Sequence, residues 1–279
     1  MKEIHIDGIG DLGNCLFQIA TAIYYREKYG YEIILNDSSG CLQMGTQHRP
    51  KNRLVKKDTG EMISYKDTIF KNFIYRPLSG YNYNRIISNN MSSDKIIPTE
   101  NDSYLKIDGY CQYIKLFMEY SDKLIAYFNL NDTSIYEHIK HKYNINMHEK
   151  NIMLGIRICN DFLHMNKITV ESYKKALYTL ISEDESNYNL IILSDKANDW
   201  EKKIDFKITG RIIVVDEDDI TQFYAGLLCN CFILSESTYH YWIAMFKNLM
   251  DKNTKVIVFN NTDMTNKTLP LPDWIKIDY

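Results

Sequence analysis

The chain has 279 residues, 45% of them hydrophobic, enough to bury a sizeable core in one large or two small domains. Its 33 basic and 36 acidic residues are spread along the sequence and leave a net charge of −3, which gives no electrostatic footprint for nucleic acid or an anionic membrane. The amino terminus, Met1-Lys2-Glu3-Ile4-His5-Ile6-Asp7, has no basic region followed by an apolar core. No segment reaches the ~18 apolar residues of a membrane span, so the expectation is a soluble, cytoplasmic protein without a signal peptide. Cys15, Cys41, Cys111, Cys159, Cys229 and Cys231 form no CxxC pair. Reduced, buried thiols are expected rather than a zinc ribbon or a disulfide framework.

Residues 3–7 read as a short strand. Gly8, Gly10 and Gly13 punctuate a loop, after which Leu16, Ile19, Ala20 and Ile23 recur at helical spacing. From 36 to about 100 the chain is polar, with Pro50, Pro77 and Pro98 among runs of Asn, Ser and Lys, and long loops or an irregular insertion are expected. Tyr104-Leu105-Lys106-Ile107-Asp108 is strand-like, Gly109-Tyr110 follows, and an amphipathic helix is predicted over 112–128. The charged tract 137–150 reads as a linker or a helix end.

The second half is more regular. Apolar runs at 152–158, 189–194, 211–215, 231–235 and 255–259 alternate with helical patterns at 170–182, 196–203, 218–229 and 239–249. That alternation predicts βαβ units and a parallel sheet buried on both faces. Ligands on such sheets bind beyond the carboxyl ends of the strands.

Four of these strand ends carry polar groups: Arg157 to Asp161, Ser194-Asp195, Asp216 to Asp219, and Ser235 to Thr238. Ser237 and Thr238 open a helix, where hydroxyls and backbone N–H groups hold phosphate oxygens; simple N-capping accounts for one such residue equally well. Arg157 ends an apolar strand, so its guanidinium needs an anion, either a diphosphate or a neighbour such as Asp161 or Asp195. Gly8-Ile9-Gly10-Asp11-Leu12-Gly13-Asn14 follows a strand and opens a helix but has neither the GxGxxG spacing of dinucleotide binders nor a P-loop lysine, and Asn14 there serves as a cap or as a ligand contact. His138, His141 and His148 fall on a charged stretch that reads as a solvated helix face; no metal site is assigned.

In order along the chain, these segments resemble the α-1,2-fucosyltransferase family, glycosyltransferase family 11. Gly10-Asp11-Leu12-Gly13-Asn14-Cys15-Leu16-Phe17-Gln18-Ile19-Ala20 is similar to its Gly-Gly-Leu-Gly-Asn-Gln-x-Phe-Gln-x-Ala pattern. Gly109-Tyr110-Cys111-Gln112 with Lys115 resembles Gly-Tyr-x-Gln-x-x-x-Lys, with the lysine one place early. Leu193-Ser194-Asp195-Lys196 with Trp200 resembles Phe-Ser-Asp-Asp and a following Trp. Ser235-Glu236-Ser237-Thr238-Tyr239-His240-Tyr241-Trp242 resembles Ser-Asn-Ser-Thr-Phe-Ser-Trp-Trp, and Pro272-Asp273-Trp274-Ile275 resembles Pro-x-x-Trp-Ile. Residues 36–103 contribute nothing to the likeness.

The resemblance implies an α/β, GT-B-like fold of two Rossmann-like domains with mainly parallel sheets: an acceptor-side domain over 1–148 and a sugar-nucleotide-binding domain over 149–279. It implies inverting transfer of fucose from GDP-fucose to a glycan hydroxyl, with no metal and no cofactor beyond the donor. The implied partners are therefore a sugar nucleotide and a glycan acceptor, with a homo-oligomer left open. Arg157 and Asn14 are the implied catalytic residues, and Asp11, a departure from the family, is a third catalytic candidate through its own carboxylate, which would either repel phosphate or serve as a base. Gly13, Asp161, Ser194, Asp195, Ser237 and Thr238 are the implied donor-binding ones, Asp195 toward guanine or ribose. The base is unassigned among Asp7, Asp11, Asp161 and His164. The family's His-x-Arg-Arg-Gly-Asp pattern reads here Gly155-Ile156-Arg157-Ile158-Cys159-Asn160-Asp161, without the histidine and the second arginine, and Asp11 replaces a glycine. Two alternatives follow from these departures: a transferase of the same fold using another sugar nucleotide, such as a rhamnose or hexose donor, or a non-catalytic nucleotide- or glycan-binding protein.

Overall fold

The structure, a computed structural model, describes residues 1–8, 10–37, 56, 58–88, 97–112, 114–156, 168–181, 187–194, 210–260 and 271–278. The chain forms two compact units, Met1–Arg49 with Met62–Leu130 and Pro50–Glu61 with Asn131–Tyr279.

The first unit contains β1 (Glu3–Ile6), α1 (Leu12–Tyr29), β2 (Glu32–Asn36), β3 (Ile74–Arg76), β4 (Arg85–Ser88), β5 (Tyr104–Asp108), α2 (Ile114–Met118) and α3 (Ser121–Tyr127). Its strands are parallel, in the order β3-β2-β1-β5-β4. The helical spacing that begins at Leu16 holds through an 18-residue α1, whose Leu16, Phe17, Ile19, Ala20 and Ile23 are buried. Gly30, at φ +75°, ends the helix by donating its N–H to Arg26 O, and Arg26 and Lys28 lie in the last turn where cations favour the helix dipole.

Two expectations for this half are corrected. The polar stretch 36–100 contributes two strands, β3 paired with β2 and β4 with β5; they are three or four residues long and half-exposed, too short for their alternation to stand out. The helix expected over 112–128 is two helices, α2 and α3, because Tyr120 leaves helical geometry (φ −122°, ψ 29°). The tract 137–150 is a helix end and a connection, as expected: 137–143 close α4 (Thr133–Tyr143), which Asp132 caps through the N–H groups of Ser134 and Ile135 and which Asn144 closes at φ +50°, and the chain then runs on to residue 150.

Alternation along β1 sends Ile4 and Ile6 to one face and Glu3 and His5 to the other. Glu3 takes hydrogen bonds from His5 Nε2 and Arg76 Nη1, each at 2.8 Å, while Tyr81 and Tyr83 set their ring edges against His5. Burial alone would raise the Glu3 carboxyl, but the bonds from His5 and Arg76 and their charge hold it below the usual glutamate value of 4.5. A carboxylate lowered in the folded state adds stability above its unfolded value, and that stability is lost as pH falls through the folded value. Acid denaturation should therefore show a component starting below about pH 4.5 that Glu3→Gln removes, measured by melting temperature against pH.

The second unit, which includes α4, continues with β6 (Lys150–Ile156), α5 (Val170–Leu180), β7 (Tyr188–Ser194), β8 (Arg211–Val215), α6 (Asp219–Leu227), β9 (Cys231–Ile233), α7 (Thr238–Met250), β10 (Lys255–Phe259) and β11 (Ile275–Ile277). Its strands are also parallel, in the order β11-β10-β9-β6-β7-β8. Ile152, Leu154 and Ile156 of β6 join Leu190, Ile192, Ile233 and Ile257 in a core with Tyr173, Ala176 and Leu177 of α5. α6 and α7 pack closely together. A Cβ on Gly226 would come within 2.5 Å of Ile243 Cγ2 and 3.1 Å of Met153 Sδ. Gly226→Ala should cost about 1–3 kcal/mol of stability through overpacking, despite alanine's better helix propensity, as read from urea unfolding. The helical pattern at 196–203 lies outside the described residues.

Candidate functional site

Each sheet has one point where the strand order turns back. In the second unit it lies between β6 and its neighbour β9: β7 and β8 extend to one side, β10 and β11 to the other. Loops leaving the carboxyl ends of such a strand pair diverge, opening a crevice that α/β proteins use for ligands. At this point Gly155 lies near the end of β6, and Ser235 and Ser237 follow β9, with Thr238 opening α7. Ser237 occupies the cap position (φ −133°, ψ 119°) but its side chain makes no capping hydrogen bond, so the N-capping alternative does not describe it. No acidic residue lies in the first turn of α7, which leaves its N-terminal partial charge available to an anion.

His240 is the residue that the sequence reading passes over. It lies in the first turn of α7, buried, with Nδ1 3.1 Å from Ser235 Oγ, and its ring rests against Gly155. Its signal was present in the sequence as a histidine where the resembled pattern has serine. Ser194, the last residue of β7, is also buried and lies opposite Ile156 of β6. Arg157, Asp161 and Asp195, and with them the base candidate His164, lie outside the described residues.

The polar end of β8 is absorbed into structure instead. Asp218 caps α6 by accepting the N–H groups of Ile220 and Thr221, both at 2.9 Å, and the Thr221 hydroxyl at 2.7 Å. Glu217 accepts the Tyr143 hydroxyl at 2.6 Å and pairs with Lys142 at 2.9 Å, tying β8 to α4; burial first, and then this carboxylate, push the Tyr143 phenol upward. Trp274 of the closing pattern donates its indole N–H to Asn248 Oδ1 at 2.9 Å and packs on Tyr241, fastening the carboxyl-terminal strand to α7.

In the first unit the turn-back point lies between β1 and β5, and the loops that follow these strands meet there. Gly10 adopts φ +89°, and a Cβ on it would fall 2.8 Å from Asn14 Nδ2 and 3.0 Å from the Tyr110 ring. Gln112 donates to Asn14 Oδ1 at 3.5 Å, so the two segments singled out in sequence, 8–14 and 109–112, are brought together. Asp11 precedes α1, its carbonyl accepting the Asn14 and Cys15 N–H groups, and its side chain makes no capping bond; Gly13 is buried in the first turn. Thr21 donates to the carbonyl of Cys111, which holds φ +47° in this loop. Burial pushes the Cys111 thiol up to about 12, which removes it as a nucleophile. Asp7 is engaged by Lys106 and Asn36, each at 2.7 Å.

Among the described residues, no three His, Cys, Asp or Glu side chains gather as a metal site, and no helix is long and apolar enough to cross a membrane. Cys15, Cys111, Cys229 and Cys231 are buried and form no disulfide.

No protein-family profile matches the sequence, and no curated protein matches it. Solved structures do resemble its fold. The fucosyltransferase NodZ from Bradyrhizobium aligns over 88% of this chain and 92% of its own at TM-score 0.52 and 10% identity. Arabidopsis thaliana FUT1, solved as a mutant in complex with GDP, aligns over 98% and 73% at TM-score 0.57 and 11% identity. The E. coli ADP-heptose LPS heptosyltransferase II aligns over 99% and 90% at TM-score 0.52 and 11% identity. At these identities the likeness concerns architecture, and together with the two parallel sheets it establishes an α/β fold of the GT-B type.

Proposed function

We propose that the chain is a glycosyltransferase, an inverting enzyme that moves fucose from GDP-fucose to a glycan hydroxyl. The observation that carries this reading is the β6–β9 turn-back point, where α7 begins with Ser237 and Thr238, no acidic first turn and no side-chain cap. A nucleoside diphosphate suits that arrangement, since hydroxyls and helix N–H groups hold its oxygens. NodZ crystals soaked with GDP-fucose and FUT1 in complex with GDP supply the donor by analogy of fold.

In the proposed reaction the acceptor oxygen attacks the anomeric carbon, the bond from that carbon to the diphosphate oxygen breaks, and the acceptor proton passes to a base. Arg157 and the start of α7 meet the charge that develops on the departing diphosphate, so no metal or cofactor is needed. Asn14 and Asp11, at the head of α1, belong to the acceptor side. Asp11 and Asp7 are the two described base candidates, and Asp7 is held by Lys106 and Asn36.

A second reading rests on the heptosyltransferase, which matches as well as NodZ: the fold does not select the sugar, and the altered 155–161 pattern leaves room for another donor. Incubation with GDP-fucose, and in parallel with UDP- and ADP-linked sugars, over a panel of glycan acceptors separates the two. GDP release with fucosylated product supports the first reading. Turnover confined to another donor supports the second, and ligand binding with no turnover of any donor contradicts both.

A further inference from the structure

Strand β5 ends at Asp108, and Gly109-Tyr110-Cys111-Gln112 form the turn that follows it at the carboxyl edge of the first unit's sheet. Gly109 holds φ +130° and Cys111 φ +47°, so a residue of positive φ stands on either side of Tyr110. Cysteine is strained in that region, and such strain persists only where the surroundings over-determine it. Here they do: the Cys111 side chain is buried, and Thr21 of α1 donates its hydroxyl to the Cys111 carbonyl at 3.3 Å. The result is a turn that buries Cys111 and leaves Tyr110 41% exposed. The Tyr110 ring is also backed by the chain. A Cβ on Gly10 would fall 3.0 Å from the ring and 2.8 Å from Asn14 Nδ2, so ring and amide crowd one point beside a backbone that carries no side chain. Gln112 donates to Asn14 Oδ1 at 3.5 Å, which brings a second amide to the same place.

An exposed aromatic ring beside two amides suits a sugar. The C–H face of a pyranose is apolar and packs on such a ring, while its hydroxyls donate and accept as amides do. A phosphate suits the place less well, because Asp11 puts a carboxylate at the start of α1, where it opposes a second anion. We propose that Tyr110 binds the acceptor, a neutral pyranose of the glycan stacking on its ring and hydrogen-bonding to the Asn14 and Gln112 amides. The proposal rests on the transferase reading above.

The test titrates the wild type, Tyr110→Phe and Tyr110→Ala with the methyl pyranosides of galactose, glucose, mannose and N-acetylglucosamine, followed by ligand-observed NMR. Calorimetry with GDP reads the donor separately, and thermal melts confirm folding. The wild type should bind at least one pyranoside, and Tyr110→Phe, which keeps the ring, should retain that affinity. Tyr110→Ala should bind the sugar about tenfold more weakly, the loss expected for one stacked ring, with GDP affinity unchanged. A folded Tyr110→Ala with wild-type sugar affinity overturns the proposal, and so does a wild type that binds GDP but none of the pyranosides; both leave the transferase reading intact. If Tyr110→Ala does not fold, Tyr110→Leu, which keeps apolar bulk against Gly10 without an aromatic face, is read in the same way. Sugar binding that depends on the ring, in a protein that binds no GDP, supports the sugar site and removes the transferase reading.

Discussion

Gly155→Val is expected to lower stability by about 1–3 kcal/mol and to remove nucleoside diphosphate binding. The first effect follows from position. Gly155 lies in β6, paired with Leu193 of β7 in the buried middle of the sheet, and any Cβ there comes to 2.7 Å from His240. The ring has little room to yield, because Tyr239, Tyr241, Trp242 and Phe246 of the same helix are themselves buried. The second effect follows because a displaced His240 loses its bond to Ser235 and shifts the first turn of α7, which carries Ser237 and Thr238. Denaturant unfolding and calorimetry read the two effects separately. Wild-type GDP affinity in a folded Gly155→Val protein would show that the β6–α7 contact lies away from the donor.

Arg157→Ala is expected to reduce transfer about 10²–10³-fold, the range for losing one group that stabilises charge developing in a transition state. The prediction comes from sequence: Arg157 follows the apolar run Met153-Leu154-Gly155-Ile156 and is the remaining cation of the altered pattern. Arg157→Lys should recover only part of the rate, since an ammonium cannot offer the bidentate fork of a guanidinium. Single-turnover rates measure both variants. A transfer rate unchanged in Arg157→Ala would remove the proposed mechanism.

The second unit was the more legible in sequence because its central strands β6, β7, β9 and β10 are buried on both faces. Leu190-Ile191-Ile192-Leu193 and Val256-Ile257-Val258-Phe259 are continuous apolar runs that admit little else, and they emerge as β7 and β10. The first unit hides its edges: Ile74-Tyr75-Arg76 and Arg85-Ile86-Ile87-Ser88 are short and partly exposed, and they gain their strand character from pairing with β2 and β5 rather than from their own pattern. The site was legible where glycine, serine and asparagine mark loops, so segments 8–14 and 109–112 were singled out separately, but only the fold brings Asn14 to Gln112. His240 escaped notice because its significance lies in Gly155, a residue 85 positions earlier, and no local pattern expresses that contact. Asp218 and Glu217 went the other way: acidic residues at a strand end look like ligand groups, yet they are consumed by the cap of α6 and the tie to α4.

Donor recognition at the second unit's β6–β9 turn-back point is tested most directly by calorimetric titration of the wild-type protein with GDP, UDP, CDP and dTDP, without added metal. Saturable binding with GDP preferred, at micromolar affinity, is the predicted result. Absence of binding by all four nucleotides would contradict it.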